Sequence, residues 1–217
     1  MARAVIDPAA VVERLEQVRG RIAAAGGDPD AITLVAMTKG FGPDAVRAAL
    51  AAGLDRIGEN RAQELRAKAA EIDGAQWHFL GRIQRNKVRG LAPLIVLWQS
   101  VDRAEVGEEI ARRAPGASVL VQVNVSGEPQ KGGCAPADTP GLVDRLRTLG
   151  LDVQGLMAIG PTGPPEAARE PFRALAAQAR TLDLDHLSMG MTEDLEVAVQ
   201  EGATMIRVGR GLFGPRA

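Results

Sequence analysis

The sequence predicts an α/β protein folded as a single (β/α)8 TIM barrel with an extra N-terminal helix. Eight short apolar or β-branched runs alternate with amphipathic helical stretches along the 217 residues, the rhythm of a parallel sheet covered on both faces. A further helical pattern precedes the first run. No linker-like stretch divides the chain, so residues 1–217 are read as one domain. An open doubly wound sheet is the alternative, because periodicity does not show whether a sheet closes.

The N-terminal segment PAAVVERLEQVRGRIAAAGG (8–27) carries apolar residues at helical spacing and stops at Gly26-Gly27. The strand runs follow: ITLVAM (32–37), DRIGEN (55–60), WHFLG (77–81), IVLWQSV (95–101), SVLVQVNV (118–125), VQGLMAIG (153–160), DHLSMG (185–190) and TMIRVG (204–209). Helical patterns such as PDAVRAALAAG, RAEVGEEIARRA, EPFRALAAQARTL and TEDLEVAVQEG lie between them. The Pro/Gly-rich stretches SGEPQKGGCAPADTP and GPTGPPEAARE read as loops after the fifth and sixth strands.

Composition narrows the function. A formal charge of -1 gives no global attraction to nucleic acid or to an anionic membrane. Cys134 is the single cysteine, so no intrachain disulfide forms, in keeping with a reducing cytoplasm. The N-terminus has no continuous apolar stretch and is expected to be neither a signal peptide nor a membrane span. With two histidines and one cysteine lacking ligand spacing, no metal site is expected. Tyrosine is absent, which removes one common acid/base residue. A cytoplasmic protein, acting as a monomer, is expected.

In a parallel barrel, function gathers at the carboxyl ends of the strands. Lys39, Asn60, His78, Asn124, Ser188 and Arg207 sit at or near those ends. Lys39 follows the apolar LVAM, and Gly40 and Gly42 clear space around it, as would suit an amine held in a pocket for covalent chemistry. Arg207 interrupts the buried-looking MIRVG. A buried guanidinium needs a partner, and a structural ion pair with a carboxylate such as Glu59 is one reading. His78, between Trp77 and Phe79, reads either as a hydrogen-bonded core histidine or as a site residue.

The C-terminal GRGLFG (209–214) matches G-x-G-x-x-G, yet only three residues follow, so a dinucleotide fingerprint is not expected there. Bare backbone amides after a strand still suit one phosphate. SMGMTED offers a second anion site, with Thr192 as an N-cap ahead of a helix. Phosphate sites after strands seven and eight recur in barrels. The basic run GRIQRNKVRG lacks interleaved aromatics and reads as a solvated helix face rather than a nucleic-acid surface.

A strand-end lysine, a monophosphate cradle and an arginine on a neighbouring strand together suit pyridoxal 5'-phosphate, with its aldehyde as a Schiff base on Lys39. The motifs LVAMTK, IGENRAQE, WHFLGRIQRNK, SVDR, LVQVNVSGEPQKGG, GLMAI, LSMGMTEDLEVAV and IRVGRGLFG, from about Ile32 to Gly214, resemble those of the pyridoxal phosphate homeostasis proteins. These are similar in fold to the barrel domain of alanine racemase. The resemblance implies that Lys39 is the cofactor lysine, that Arg207 faces the pyridine nitrogen, and that SMGMT and GRG hold the phosphate. The implied cofactor-binding set is Lys39, Asn60, His78, Ser188, Met191, Thr192, Arg207, Gly209 and Arg210, with no catalytic residue.

The chain departs from the family pattern at three places. Thr38-Lys39-Gly40 stands where many relatives read Ser-Lys-Thr, Arg210 replaces a hydroxyl residue, and Arg61 replaces an aromatic. Amide rather than side-chain contact to phosphate is therefore expected at Arg210. The implied function is non-catalytic: a carrier that buffers or delivers pyridoxal phosphate, with apo pyridoxal-phosphate enzymes as partners and effects on amino-acid and vitamin B6 balance. An arginine at the pyridine nitrogen weakens the electron sink, and the tyrosine base of the racemase has no counterpart here. The alternative is a low-activity amino-acid racemase or other pyridoxal-phosphate enzyme using His78 or a loop residue as second base, and a barrel hydrolase would leave the lysine and cradle unexplained.

Overall fold

Alternation of apolar residues along each strand run sends one set of side chains inward and the other outward. In the computed structural model, which describes residues 5–215, this produces a closed barrel of eight parallel strands in sequence order. They are β1 (Thr33–Met37), β2 (Arg56–Glu59), β3 (Gln76–Phe79), β4 (Ile95–Val101), β5 (Ser118–Gln122), β6 (Asp152–Met157), β7 (His186–Ser188) and β8 (Met205–Val208). β8 closes on β1, with Val35 beside Arg207 and Ala36 beside Val208.

The helices are α1 (Pro8–Ala24), α2 (Pro43–Ala51), α3 (Ala62–Ala69), α4 (Arg85–Leu91), α5 (Ala104–Arg113), α6 (Thr139–Thr148), α7 (Arg169–Thr181), α8 (Leu195–Gln200) and α9 (Arg210–Phe213). α1 starts where Asp7 Oδ1 accepts the Ala9 N–H at 3.0 Å, with Pro8 in the first turn. Its stripe of Val11, Leu15, Val18 and Ile22 is buried against the barrel. The basic run forms α4, with Arg85, Lys87 and Arg89 exposed and Val88 and Leu91 buried, the solvated face its composition implies.

The core has two layers. One lies between sheet and helices and takes Leu34, Ala36, Trp77, Phe79, Trp98, Leu187, Ile206 and Val208 from the strands. The other fills the barrel interior with Val35, Met37, Leu97, Leu120, Met157 and Met205. Parity then places His78, Gln99, Ser188 and Arg207 in the interior, because their chain neighbours belong to the outer layer. All four are buried.

Six strands, all but β1 and β4, end before their runs do. β5 stops at Gln122 because Val123 bridges Cys134 and the Asn124 N–H bonds the Cys134 carbonyl at 2.8 Å, turning the chain into its loop. Similarly, α8 begins at Leu195, not at the turn of Thr192. Asp194 Oδ1 accepts the Met191 N–H at 2.6 Å, which holds residues 192–194 as a turn and leaves Asp194, rather than Thr192, in the cap position. Among the described residues no helix is long and apolar enough to cross a membrane.

Candidate functional site

The carboxyl ends of the strands surround a cavity of about 940 Å³. Lys39, Asn60, Met191, Thr192, Arg207, Gly209 and Arg210 line it. Elements distant in sequence thus bring seven of the nine predicted residues to one concavity. His78 and Ser188 do not line it; both lie buried beneath its floor.

Lys39 stands in the turn that follows β1. The Phe41 N–H bonds the Thr38 carbonyl at 2.9 Å, and Gly40 has φ +76°. An i to i+3 bond with a positive φ at the third position marks a type II turn, which asks for glycine there. Lys39 occupies the second position.

Arg207 forms the floor. Its guanidinium donates to the Ser188 carbonyl at 2.7 Å, to Ser188 Oγ at 2.9 Å and to the Ala158 carbonyl at 2.8 Å. These acceptors are neutral oxygens, and Glu59, the carboxylate expected as a partner, pairs instead with Lys68. Burial pulls the Arg207 pKa down to about 10, against the charge of Asp194, so the group remains a cation at neutral pH. The same bonds join the ends of β6, β7 and β8, where β7 and β8 register through one pair, Ser188 beside Met205.

A directional chain continues below. Arginine only donates, so Ser188 Oγ accepts from Arg207 and gives its own proton to Gln99 Oε1 at 2.7 Å. That orients the Gln99 amide, whose nitrogen donates to His78 Nδ1 at 2.7 Å and approaches Met205 Sδ at 3.0 Å. His78 Nδ1 is therefore an acceptor and the ring neutral, with the proton on Nε2. Burial, with the charge of Arg56 added, lowers its pKa to about 4. Ser188 and His78 thus reach the cavity only through Arg207 and Gln99. The sequence reading missed Gln99, although its position two residues after Leu97 in β4 is the signal that points it inward.

The opposite wall is made by the turn at 191–194 and the start of α9. Thr192 Oγ1 accepts the Gly211 N–H at 3.3 Å, and a Cβ at Gly211 would lie 2.8 Å from Val208 and 3.2 Å from Thr192. Only glycine permits that approach. The first N–H groups of α9 have no partner within the helix and carry its positive end. Arg210 turns its side chain outward to Glu193 at 3.1 Å, leaving backbone at the cavity. α1 buttresses this wall: Arg21 donates to the Thr192 carbonyl at 2.8 Å and to both oxygens of Glu196. The rim is tied by Glu128, which accepts from Lys131 Nζ at 2.6 Å and from the Thr162 N–H and hydroxyl at 2.8 Å each.

The chain that brings Lys39, Arg207 and the start of α9 to one cavity is similar to known proteins along nearly its whole length. The family described as alanine racemase, N-terminal domain, matches residues 6–217. A Pseudomonas aeruginosa protein named pyridoxal phosphate homeostasis protein is 42% identical over 95% of this chain and 96% of its own length. The solved structure of PipY from Synechococcus elongatus with pyridoxal phosphate (PLP) bound superposes with a TM-score of 0.81 at 34% identity, covering 94% of this chain and 100% of PipY. Without PLP the TM-score is 0.85. An alanine racemase from Corynebacterium glutamicum shares the fold, with a TM-score of 0.75 at 15% identity, covering 97% of this chain and 62% of the racemase chain. Matched nearly end to end by such relatives, the chain belongs to the alanine racemase N-terminal domain family and, within it, to the pyridoxal phosphate homeostasis proteins.

Proposed function

We propose that this chain binds pyridoxal 5'-phosphate covalently through Lys39, as one domain, and acts as a non-catalytic carrier in vitamin B6 homeostasis. The observation that carries the reading is the convergence of Lys39, Arg207 and the start of α9 on one cavity. When bound, the cofactor supplies an aldehyde that condenses reversibly with a primary amine. The residues fit it. Lys39 offers the amine, the α9 amides and the 191–194 turn offer N–H donors for a phosphate, and Arg207 is a donor-only group suited to an unprotonated ring nitrogen. Asn60 and Met191 supply further wall.

Three features favour a carrier over a racemase. An arginine on the floor opposes protonation of the ring nitrogen and so weakens carbanion stabilisation. His78, the second base of the racemase reading, is buried under the floor with Nδ1 engaged by Gln99. Tyrosine, the racemase's own base, is absent from the sequence. Transfer to apo pyridoxal-phosphate enzymes and a cytoplasmic setting complete the proposal.

The test mixes loaded protein with an apo pyridoxal-phosphate enzyme and follows recovered activity, alongside chiral analysis of alanine. Recovery without racemisation is expected, and racemisation abolished by Lys39→Ala would overturn the carrier reading. Pyridoxal, lacking the phosphate, should bind at least about tenfold more weakly, since each charge-assisted hydrogen bond contributes about 1.5–3 kcal/mol. Equal affinities would remove the cradle.

A further inference from the structure

The segment from Glu59 to Lys68 surrounds the Lys39 turn with charged groups that bind its backbone. Glu59 ends β2, and Glu64 and Lys68 stand four residues apart on one face of α3. Lys68 Nζ donates to the Thr38 carbonyl at 2.8 Å, the same oxygen that accepts the Phe41 N–H. It also pairs with Glu59 Oε1, which takes the Thr38 hydroxyl at 2.6 Å. At the third position of the turn, Glu64 Oε2 accepts the Gly40 N–H at 3.0 Å, while Oε1 accepts from Arg61 at 2.9 Å. Lys39 is thus flanked on both sides by backbone groups held from β2 and α3.

Stability alone does not account for this arrangement. Glu59 is fully buried, Lys68 nearly so, and Glu59 Oε2 has no hydrogen-bond partner among the described residues. A buried ion pair with an orphan oxygen is commonly no more stabilising than apolar residues of the same volume. What the pair does provide is a fixed position for Thr38, the residue before the lysine.

We infer that Glu59, Glu64 and Lys68 are positioning residues, a clamp that holds the Lys39 turn in the geometry required for covalent attachment. The inference rests on the reading that Lys39 is the attachment site. Gly40 supplies the positive φ that the turn needs, and Glu64 holds its backbone N–H.

The test has two arms. In ligand-free protein, amide hydrogen exchange is measured at Gly40 and Phe41 for Glu64→Ala, Glu64→Gln and the double variant Glu59→Gln/Lys68→Met. Pyridoxal phosphate is then added, and the rate of borohydride-trapped label on Lys39 is followed from pH 6 to 9, a range of about three units around the lysine-amine chemistry. Glu64→Ala should speed exchange at Gly40 about tenfold and slow attachment about tenfold, the scale of one lost hydrogen bond. Glu64→Gln, which keeps an acceptor oxygen, should restore both. The double variant should speed exchange at Phe41 and slow attachment, and the partly exposed Glu64 keeps the test valid if the buried pair proves essential for folding.

Unchanged exchange in Glu64→Ala would overturn the clamp. Faster exchange with unchanged attachment would reduce it to a structural contact and overturn its positioning role. A wild-type protein that labels elsewhere than Lys39 would instead overturn the functional reading and the positioning role with it, while the exchange arm still reports on the contacts.

Discussion

His78 shows how one interior residue sets a measurable property of the molecule. Burial, aided by Arg56, lowers its pKa from 6.5 to about 4, so the unfolded chain takes up a proton at a pH where the folded one does not. Its contribution to stability is whole above pH 6.5 and is lost as pH falls toward 4, about 3 kcal/mol across that window. Denaturant unfolding of wild type against His78→Gln should show this difference in slope, and parallel curves from pH 6.5 to 4 would contradict it. Burial lowers the Arg207 pKa as well, yet the group stays charged, and its hydrogen bonds carry its structural role. Arg207→Met removes the donor to the Ala158 carbonyl in the interior, while the Ser188 carbonyl keeps the Ala158 N–H, and should cost about 1–3 kcal/mol, with binding of pyridoxal phosphate weakened as well. Wild-type stability in that variant, read by denaturant unfolding, would mean that the ends of β6 to β8 hold without it.

Loops between elements carry the rim of the site, tied by the Glu128 carboxylate and by Lys131, which also donates to the Gly160 carbonyl. Glu128 lies in the loop after β5 and reaches Thr162 in the loop after β6. Hydrogen bonds from Lys131 and then from the Thr162 N–H and hydroxyl hold its pKa down at about 2. A depressed carboxylate stabilises the native loops fully above its ordinary value of 4.5, and that contribution is lost as pH falls toward 2. The Thr162 amide resonance, which senses the oxygen it bonds, should titrate near pH 2; a midpoint near 4.5 would show the two loops untied. The turn at 191–194 is a contrasting element, held from outside by Arg21 of α1, so the N-terminal helix extends its influence to the cavity wall.

The whole barrel was legible in the sequence because parallel strands buried on both faces leave an apolar run for each strand, and each of the eight runs overlaps one, with β3 and β6 starting one residue ahead of theirs. Strand ends were less legible. Val123 to Val125 continue the β-branched pattern of β5, yet the bridge to Cys134 takes the chain out of the sheet. The site was read from side chains whose chemistry is odd in a strand, and of those named, Lys39, Arg207, Thr192 and Gly209 line one cavity. It set His78 and Ser188 among the cofactor-binding residues, where the structure puts them one layer below, because proximity through Gln99 depends on the closure of the barrel and leaves no local trace. It paired Arg207 with Glu59 for the same reason: which cation reaches a buried carboxylate is decided by α3 lying over β2, not by spacing. The central claim, covalent binding through Lys39, is met most directly by borohydride reduction of the protein with pyridoxal phosphate, followed by peptide mass mapping. The account predicts the pyridoxyl group on Lys39 alone, and a main adduct on Lys68, Lys87 or Lys131 would contradict it.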